Sequence, residues 1–269
     1  MTKKIFIDPG HGGKDPGAVA GGLRESDLNL KVALAAENYL KDYDCEVFMS
    51  RRTDTATKIV DSTALAKKLA VDAYVSIHHN AGGGRGSEVF YWHSHAPSKA
   101  LAAAVLKELT ALGQRSRGIK ESSLKAYNFG VCRINALNSI PAALGEFAFL
   151  DNDQDRRAVD CDQKLKDQGA AYAKALISFL GLKKKAEPKA ADLKPDAGRL
   201  LNLNRAGLYI SSDSPLPAGR VSGKYYLYDG LNIKGRYRIT NSPANVGRLP
   251  VGRHVTGWVK KEDLTFGGQ

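Results

Sequence analysis

Four side chains, His11, Glu25, His78 and Glu146, have the types and the settings needed for metal-assisted hydrolysis. His11 follows the apolar run Ile5-Phe6-Ile7 and the turn residues Asp8-Pro9-Gly10, and it is flanked by Gly10, Gly12 and Gly13. Glycines leave space for a ligand to approach the backbone, while Pro9 and Pro16 limit how far the loop can wander. His78 ends a second apolar run, Ala73-Tyr74-Val75-Ser76-Ile77, ahead of the glycines at 82–84. Glu146 lies within Ala142-Ala143-Leu144-Gly145-Glu146-Phe147, where an unpaired carboxylate would cost several kcal/mol or remain protonated, so it calls for a partner. Two imidazoles and one carboxylate form a zinc set that leaves a fourth position open, the arrangement of a hydrolase rather than a structural clip. A second carboxylate beside the attacking water can act as general base. Glu25, just ahead of a helical pattern, has an alternative role as a solvated carboxylate favoured by a helix N-terminus.

The elements that must position these groups are β-strands. The three apolar runs are short, and the first is β-branched at both ends and stopped at once by Asp8-Pro9-Gly10, which predicts buried strands. In an open α/β sheet parallel strands present their carboxyl ends on one edge, where ligands bind. Cys45 to Ser50 and Gly86 to Trp92 read as further strands, and Gly130 to Ile134 as a short one. Helical spacing starts after an N-cap at Ser26, recurs over Ser62 to Leu69 and from Pro97 to Leu112, and runs as one long helix to about Leu180 with Gly181 as its stop. The acidic run Asp151 to Asp155 lacks the glycine and terminal glutamate of a calcium loop and reads as a helix cap. The expected fold is an α/β domain with a twisted, largely parallel sheet flanked by helices, followed by a small all-β barrel domain.

Four stretches, in order, resemble the zinc-dependent N-acetylmuramoyl-L-alanine amidases of the type-3 family. They are Ile7-Asp8-Pro9-Gly10-His11-Gly12-Gly13 with the loop residue Glu25, Val75-Ser76-Ile77-His78-His79-Asn80-Ala81, Gly86-Ser87-Glu88-Val89-Phe90-Tyr91-Trp92, and Ala143-Leu144-Gly145-Glu146-Phe147 continuing to Asn152. The resemblance covers about the first two-thirds of the chain. It implies that His11, Glu25 and His78 hold one zinc ion and that Glu146 is the catalytic glutamate. It also selects between adjacent histidines, which must face opposite sides of a strand: His78 takes the ligand position, and His79 becomes a candidate substrate contact together with Asn80. Arg133 is a further candidate for an anionic part of the substrate, with a salt bridge inside the domain as the alternative. The family's arginine after the second strand, here in Arg51-Arg52, is expected to be structural, and Val71 stands where the family has an asparagine.

The 269 residues allow one large domain, or a medium one and a small one. Residues 1–181 are expected to form the catalytic domain and 182–198, rich in Lys, Ala and Pro, a linker. Residues 199–269 change texture to short aromatic and β-branched runs between turns, as in a small barrel. Gly235-Arg236-Tyr237-Arg238-Ile239-Thr240-Asn241 and Gly257-Trp258-Val259 resemble the bacterial SH3-like wall-binding modules of lysins, which makes Tyr225, Tyr226, Tyr237 and Trp258 candidate wall contacts. Of the net charge of +12, +9 falls in residues 182–269. A basic tail favours polyanions, here the anionic wall polymers of a Gram-positive cell, since no groove-reading motif for nucleic acid is present.

No window approaches a membrane span, and the basic start Met1-Thr2-Lys3-Lys4 reaches Asp8-Pro9 after three apolar residues, too short for an export core. The expectation is a monomeric peptidoglycan hydrolase without a signal peptide, made in the cytoplasm and released onto the wall as phage or prophage endolysins are, with an exported host autolysin as the alternative. The scattered Cys45, Cys132 and Cys161 read as free buried thiols. Two other functions compete: a zinc peptidase cutting within the stem peptide, and a non-catalytic wall-binding protein.

Overall fold

The computed structural model describes residues 2–185, 196–248 and 251–266. The chain forms two compact units, the first ending at Lys185. In the first unit the strands are β1 (Lys3–Pro9), the two-residue pair β2 (Val19–Ala20) and β3 (Leu23–Arg24), β4 (Cys45–Met49), β5 (Ala73–Asn80), β6 (Ser87–Trp92), β7 (Ser116–Ser122) and β8 (Ala142–Phe149). The helices are α1 (Glu25–Leu40), α2 (Ile59–Leu69), α3 (Ala96–Thr110), α4 (Gly130–Leu137), α5 (Asp153–Arg156) and α6 (Asp162–Leu180). Six strands make one sheet in the order β4-β1-β5-β8-β6-β7. All neighbours are parallel except β6 and β8, so β6 and β7 run against the other four.

Alternation along the strands sends apolar side chains to both faces. Ile5, Ile7, Val75, Ile77, Val89 and Phe147 face α1, α3 and α6, with Val32, Leu101, Val105, Tyr172 and Leu176 as their partners. Phe6, Tyr74, Phe90 and Leu144 face the smaller layer of α2 and α4 and meet Ala66, Val131 and Cys132. The largely parallel α/β sheet expected from the strand pattern is therefore present, with one antiparallel junction.

Several boundaries differ from expectation. Residues Gly130 to Ile134 form the start of α4 rather than a strand: Val131, Cys132 and Asn135 are the buried positions, a helical spacing, and Asn135 donates to the carbonyl of Val131. Helix α1 begins at Glu25 with Arg24 in the extended N-cap position, so Ser26 lies inside the first turn rather than capping it. The long final helix is broken by Arg157 to Cys161 into α5 and α6. Asn152 caps α5 through its side chain, and Gly181 closes α6 in the left-handed conformation. Of the three cysteines, all free, Cys161 is exposed and only Cys132 is fully buried.

The first four residues of the expected linker belong to the first unit. Leu182 packs on its core, Lys184 pairs with Tyr43, and the Lys185 N–H donates to Asp42. Residues 186–195 of that linker lie outside the described residues. The second unit contains β9 (Leu200–Leu208), β10 (Gly219–Ile233), β11 (Arg236–Thr240), the short α7 (Val251–His254) and β12 (Gly257–Lys260). Its strands form an antiparallel sheet in the order β12-β11-β10-β9 around Leu201, Leu203, Leu227, Ile239 and Val259. The sheet curls, and Tyr209, just past β9, exchanges two backbone hydrogen bonds with Trp258 on β12. Tyr225, Tyr226, Tyr237 and Trp258 are all half-buried; Tyr225 and Tyr237 pack in part against this core, and Arg238 lies 5.3 Å from the Trp258 ring centre.

The first unit depends on close contact between α1 and α6. A Cβ added at Gly169 would sit 2.6 Å from the Val32 carbonyl oxygen and 2.8 Å from the Ala36 nitrogen, both backbone atoms that cannot step aside. Alanine would add about 1 kcal/mol of helix propensity, but overpacking of this kind costs about 1–3 kcal/mol. We predict that Gly169→Ala lowers stability by up to about 2 kcal/mol, read from denaturant midpoints, whereas a gain would mean that the helices separate freely.

Candidate active site

The parallel strands β1, β5 and β8 end on the same edge of the sheet, and their registers align the site. His78 on β5 lies beside Glu146 on β8, and Glu146 lies beside Glu88 on β6. Residues in register on adjacent strands share a face, so these three side chains form a row on the α2/α4 side. His78 and Glu146 open into a cleft of about 420 Å³ bordered by His11, Glu25, Ile59, Phe129 and Val131.

Glu25 holds the centre. As the first residue of α1 it is 4% exposed. Its Oε2 accepts from the Ala18 N–H at 2.8 Å and lies 3.3 Å from His11 Nε2. Its Oε1 accepts from His78 Nδ1 at 2.9 Å, from the His79 N–H at 3.1 Å and from Asn29 Nδ2 at 3.2 Å. Burial alone would raise this carboxyl, but the hydrogen bonds from His11 and His78 outweigh it and hold Glu25 well below the usual carboxylate range. The same contact with Glu25, helped by Asp15, lifts His11 to about 9 against the opposing effect of burial.

The loop carrying His11 is fixed from behind. Arg51, 4% exposed, donates from Nε to the Pro9 carbonyl at 3.0 Å and from Nη2 to the Gly10 and Ser26 carbonyls at 3.0 and 2.9 Å. The structural role expected for an arginine at this point is thus filled by Arg51. Gly10 has no room for a side chain, since a Cβ there would meet the His78 ring at 2.0 Å. His11 itself takes a left-handed φ of 61°, uncommon for a non-glycine residue. Asp15 accepts from its Nδ1 at 2.8 Å, which fixes the ring and leaves Nε2 facing Glu25.

One ligand atom each from His11, Glu25 and His78 lies within 4.8 Å of the other two. Zinc bonds of 2.0–2.1 Å at tetrahedral angles separate neighbouring donors by about 3.3 Å, the spacing found between His11 Nε2 and Glu25 Oε2, 3.3 Å. The donor set fits that ion. Glu146 stands beside this trio, 9% exposed, and its buried Oε2 has no hydrogen-bond partner among the described residues. Burial pushes its carboxyl up to about 7, against the opposing pull of His78. A carboxyl held near neutrality can both accept and return a proton.

The structure separates the remaining candidates. His79 points away from the row into the α1/α6 layer, 1% exposed, with Nδ1 on Asn29 Oδ1 at 2.8 Å and Nε2 on the Gln168 amide. It therefore supports the floor of the site rather than contacting substrate. A neutral ring donates to Asn29 and accepts from the Gln168 NH2, the amide orientation that also gives buried Gln168 Nε2 a partner. The Asn80 side chain is taken up internally, donating to Glu88 Oε1 and accepting from the Ala81 N–H. Arg133 lies two residues past Val131, where α4 borders the cleft, and is not among the residues that line it. Sequence patterns gave no sign of Asp15, Asn29 or Glu88 as site residues. Glu88, 4% exposed, accepts from Arg117 at 2.6 Å and Lys120 at 2.5 Å, and these cations outweigh its burial to keep it ionised.

An α/β sheet that gathers two imidazoles and two buried carboxylates at one strand edge, under an open cleft, is the frame of an amide hydrolase. Residues 5–178 match the family described as N-acetylmuramoyl-L-alanine amidase, and the chain belongs to that family. It is a peptidoglycan hydrolase that cleaves the amide between N-acetylmuramic acid and the L-alanine of the stem peptide. The endolysin of Bacillus phage SPP1 is 31% identical over 250 residues, which covers 88% of this chain and 84% of that protein. That share exceeds the first unit, so the similarity continues into the second. The amidase CwlM of Bacillus licheniformis is 36% identical over 187 residues, 68% of this chain and 71% of that one. Among solved structures, the catalytic domain of CwlV from Bacillus (Paenibacillus) polymyxa var. colistinus is 31% identical with a TM-score of 0.61, covering 67% of this chain and 99% of that domain.

Burial pushes His79 down to about 4, against about 6.5 in an unfolded chain. Between those values the unfolded state binds more protons than the folded one, so stability rises with pH across the window. The contribution is complete above about pH 6.5 and lost as pH falls through about 4, up to about 3 kcal/mol. Denaturation at pH 7 and pH 4.5 should show a pH-dependent loss that His79→Gln reduces; an unchanged loss in that variant would assign it to other groups.

Proposed function

We propose that His11, Glu25 and His78 bind one zinc ion and that Glu146 is the general acid and base of the amidase reaction. The observation that carries this is the buried, unpartnered Glu146 Oε2 beside a trio of donors at zinc spacing. When bound there, zinc would supply Lewis acidity to the scissile carbonyl and to the attacking water. Glu146 Oε2 takes the water's proton and returns it to the departing nitrogen of L-alanine. Glu25 keeps both histidines turned toward the centre, Asp15 fixes the tautomer of His11, and Arg51 holds the loop. Glu146→Gln is expected to retain zinc with a loss of turnover of about 10³-fold or more, whereas His11→Ala loses both. Metal analysis and muropeptide hydrolysis check this, and near-normal lysis by the Gln variant would remove Glu146 from the chemistry.

In the same proposal residues 1–185 are the catalytic domain and the second unit is an SH3-like wall-binding module. Its curled antiparallel sheet, its basic charge and the extension of the phage endolysin match into it support this reading. Its partners are then the anionic polymers of a Gram-positive wall, with Tyr225, Tyr226, Tyr237 and Trp258 as candidate contacts, and the enzyme acts as a monomer released from the producing cell in the manner of a phage or prophage lysin. Among the described residues no helix is long and apolar enough to cross a membrane. Residues 1–185 expressed alone should cleave soluble muropeptides at close to the full rate while binding isolated sacculi much more weakly in pelleting assays. Equal pelleting of both forms would refute the division of labour.

A further inference from the structure

The row His78, Glu146, Glu88 does not stop at the catalytic glutamate. Beyond Glu88, at the β6/β7 side of the sheet, a recess of about 510 Å³ is lined by Gly83, Gly84, Arg85, Arg115, Arg117 and Lys120. It is built rather than incidental. Asp151 accepts from the Gly82 and Gly83 N–H groups at 2.8 and 2.7 Å, and buried Asp155 accepts from the Gly86 and Phe149 N–H groups at 2.7 and 2.9 Å, so the glycine loop is clamped. Arg117 stacks on the Phe149 ring at 4.9 Å, and Lys120 lies 5.8 Å from both the Phe90 and Tyr127 ring centres. Arg117 and Lys120 pair with the buried Glu88 carboxylate, and with Arg85 and Arg115 they give the recess four cations and a net positive lining. The Arg85 and Arg115 side chains are exposed at its mouth.

The substrate has anionic groups to match. Once the lactyl carboxyl is in amide linkage the sugars carry no charge, and the negative charge lies on the stem peptide beyond L-alanine. Adjacent strands are about 4.8 Å apart, so Glu88 lies one spacing and the recess about two spacings from Glu146. An extended residue spans about 3.3–3.6 Å, which puts a carboxylate on the second stem residue about 7 Å past the scissile nitrogen. That falls between Glu88 and the recess, within the length of an arginine side chain.

We propose that this recess is the subsite for the free carboxylate of the second stem-peptide residue, with Arg85 and Arg115 as its contacts and Arg117 and Lys120 held in place by Glu88. The stem peptide then runs from Glu146 across β6 toward β7, and these arginines determine specificity for a charged stem. The proposal rests on the amidase activity and on the placement of Glu146 as its acid and base.

The test is steady-state kinetics of the full chain on two soluble disaccharide peptides that differ only at the second-residue carboxyl, free in one and a carboxamide in the other. Wild-type kcat/KM should be roughly tenfold higher for the acid, carried by KM and shrinking as salt is raised. R85A/R115A should bring the ratio close to one, and R85K/R115K should restore most of it; both arginines are exposed, so folding is not at stake. A wild-type ratio of one, or a preference that survives R85A/R115A, overturns the proposal. So does a ratio of one combined with competition by a soluble glycerol-phosphate polymer that R85A/R115A abolishes, which would give the recess to wall phosphate. Failure of the wild type to cleave either peptide would instead strike the amidase reading itself.

Discussion

The carboxylate of Glu25 is the interaction on which the rest of this site depends. A buried anion is tolerated only when its lone pairs are satisfied, and this one is met by two imidazoles, two backbone N–H groups and the amide of Asn29. Those partners come from the loop after β1, from α1 and from β5, so one side chain ties the first helix to two strand ends. Removing it would leave His78 without its carboxylate partner, His11 held by Asp15 alone, and a helix start without its anchor. The buried guanidinium of Arg51 completes the arrangement from the opposite side by satisfying the carbonyls that the turn at Pro9 and Gly10 exposes.

Much of this was legible in the sequence because parallel strands convert chain position into spatial position. Once Ile5 to Ile7, Ala73 to Ile77 and Ala142 to Phe147 are strands of one sheet, His11, His78 and Glu146 must meet at an edge. The motif that selects His78 over His79 agrees with the alternation of the strand: one ring faces the cleft, the other the α1/α6 core. Glu146 was readable from its apolar neighbours alone, since nothing else explains a carboxylate there.

What was not legible depended on contacts distant in sequence. Gly130 to Ile134 has the composition of a strand, and only packing of Val131, Cys132 and Asn135 against β6 and β8 makes it a helix. Glu88 is concealed in an aromatic run that reads as ordinary strand, and its importance arises from register with Glu146 and from cations on β7. Asp15 is one acid among several in a loop until the fold turns it onto His11. In the second unit the tyrosines could not be divided between core and surface without knowing which strand faces pack on Leu201 and Leu227.

The reversal of β6 and β7 against the other strands has an evolutionary consequence. Because they run the opposite way, their starting ends, and the loops at 81–86 and 113–115 that lead into them, reach the same rim as the finishing ends of β1, β5 and β8. The rim is thereby divided into two sectors encoded by separate stretches of chain. Drift, insertion or exchange in one sector can change which polymer is accepted while the reactive sector is inherited intact, so a lineage of such hydrolases can follow changes in wall chemistry without rebuilding its catalytic core.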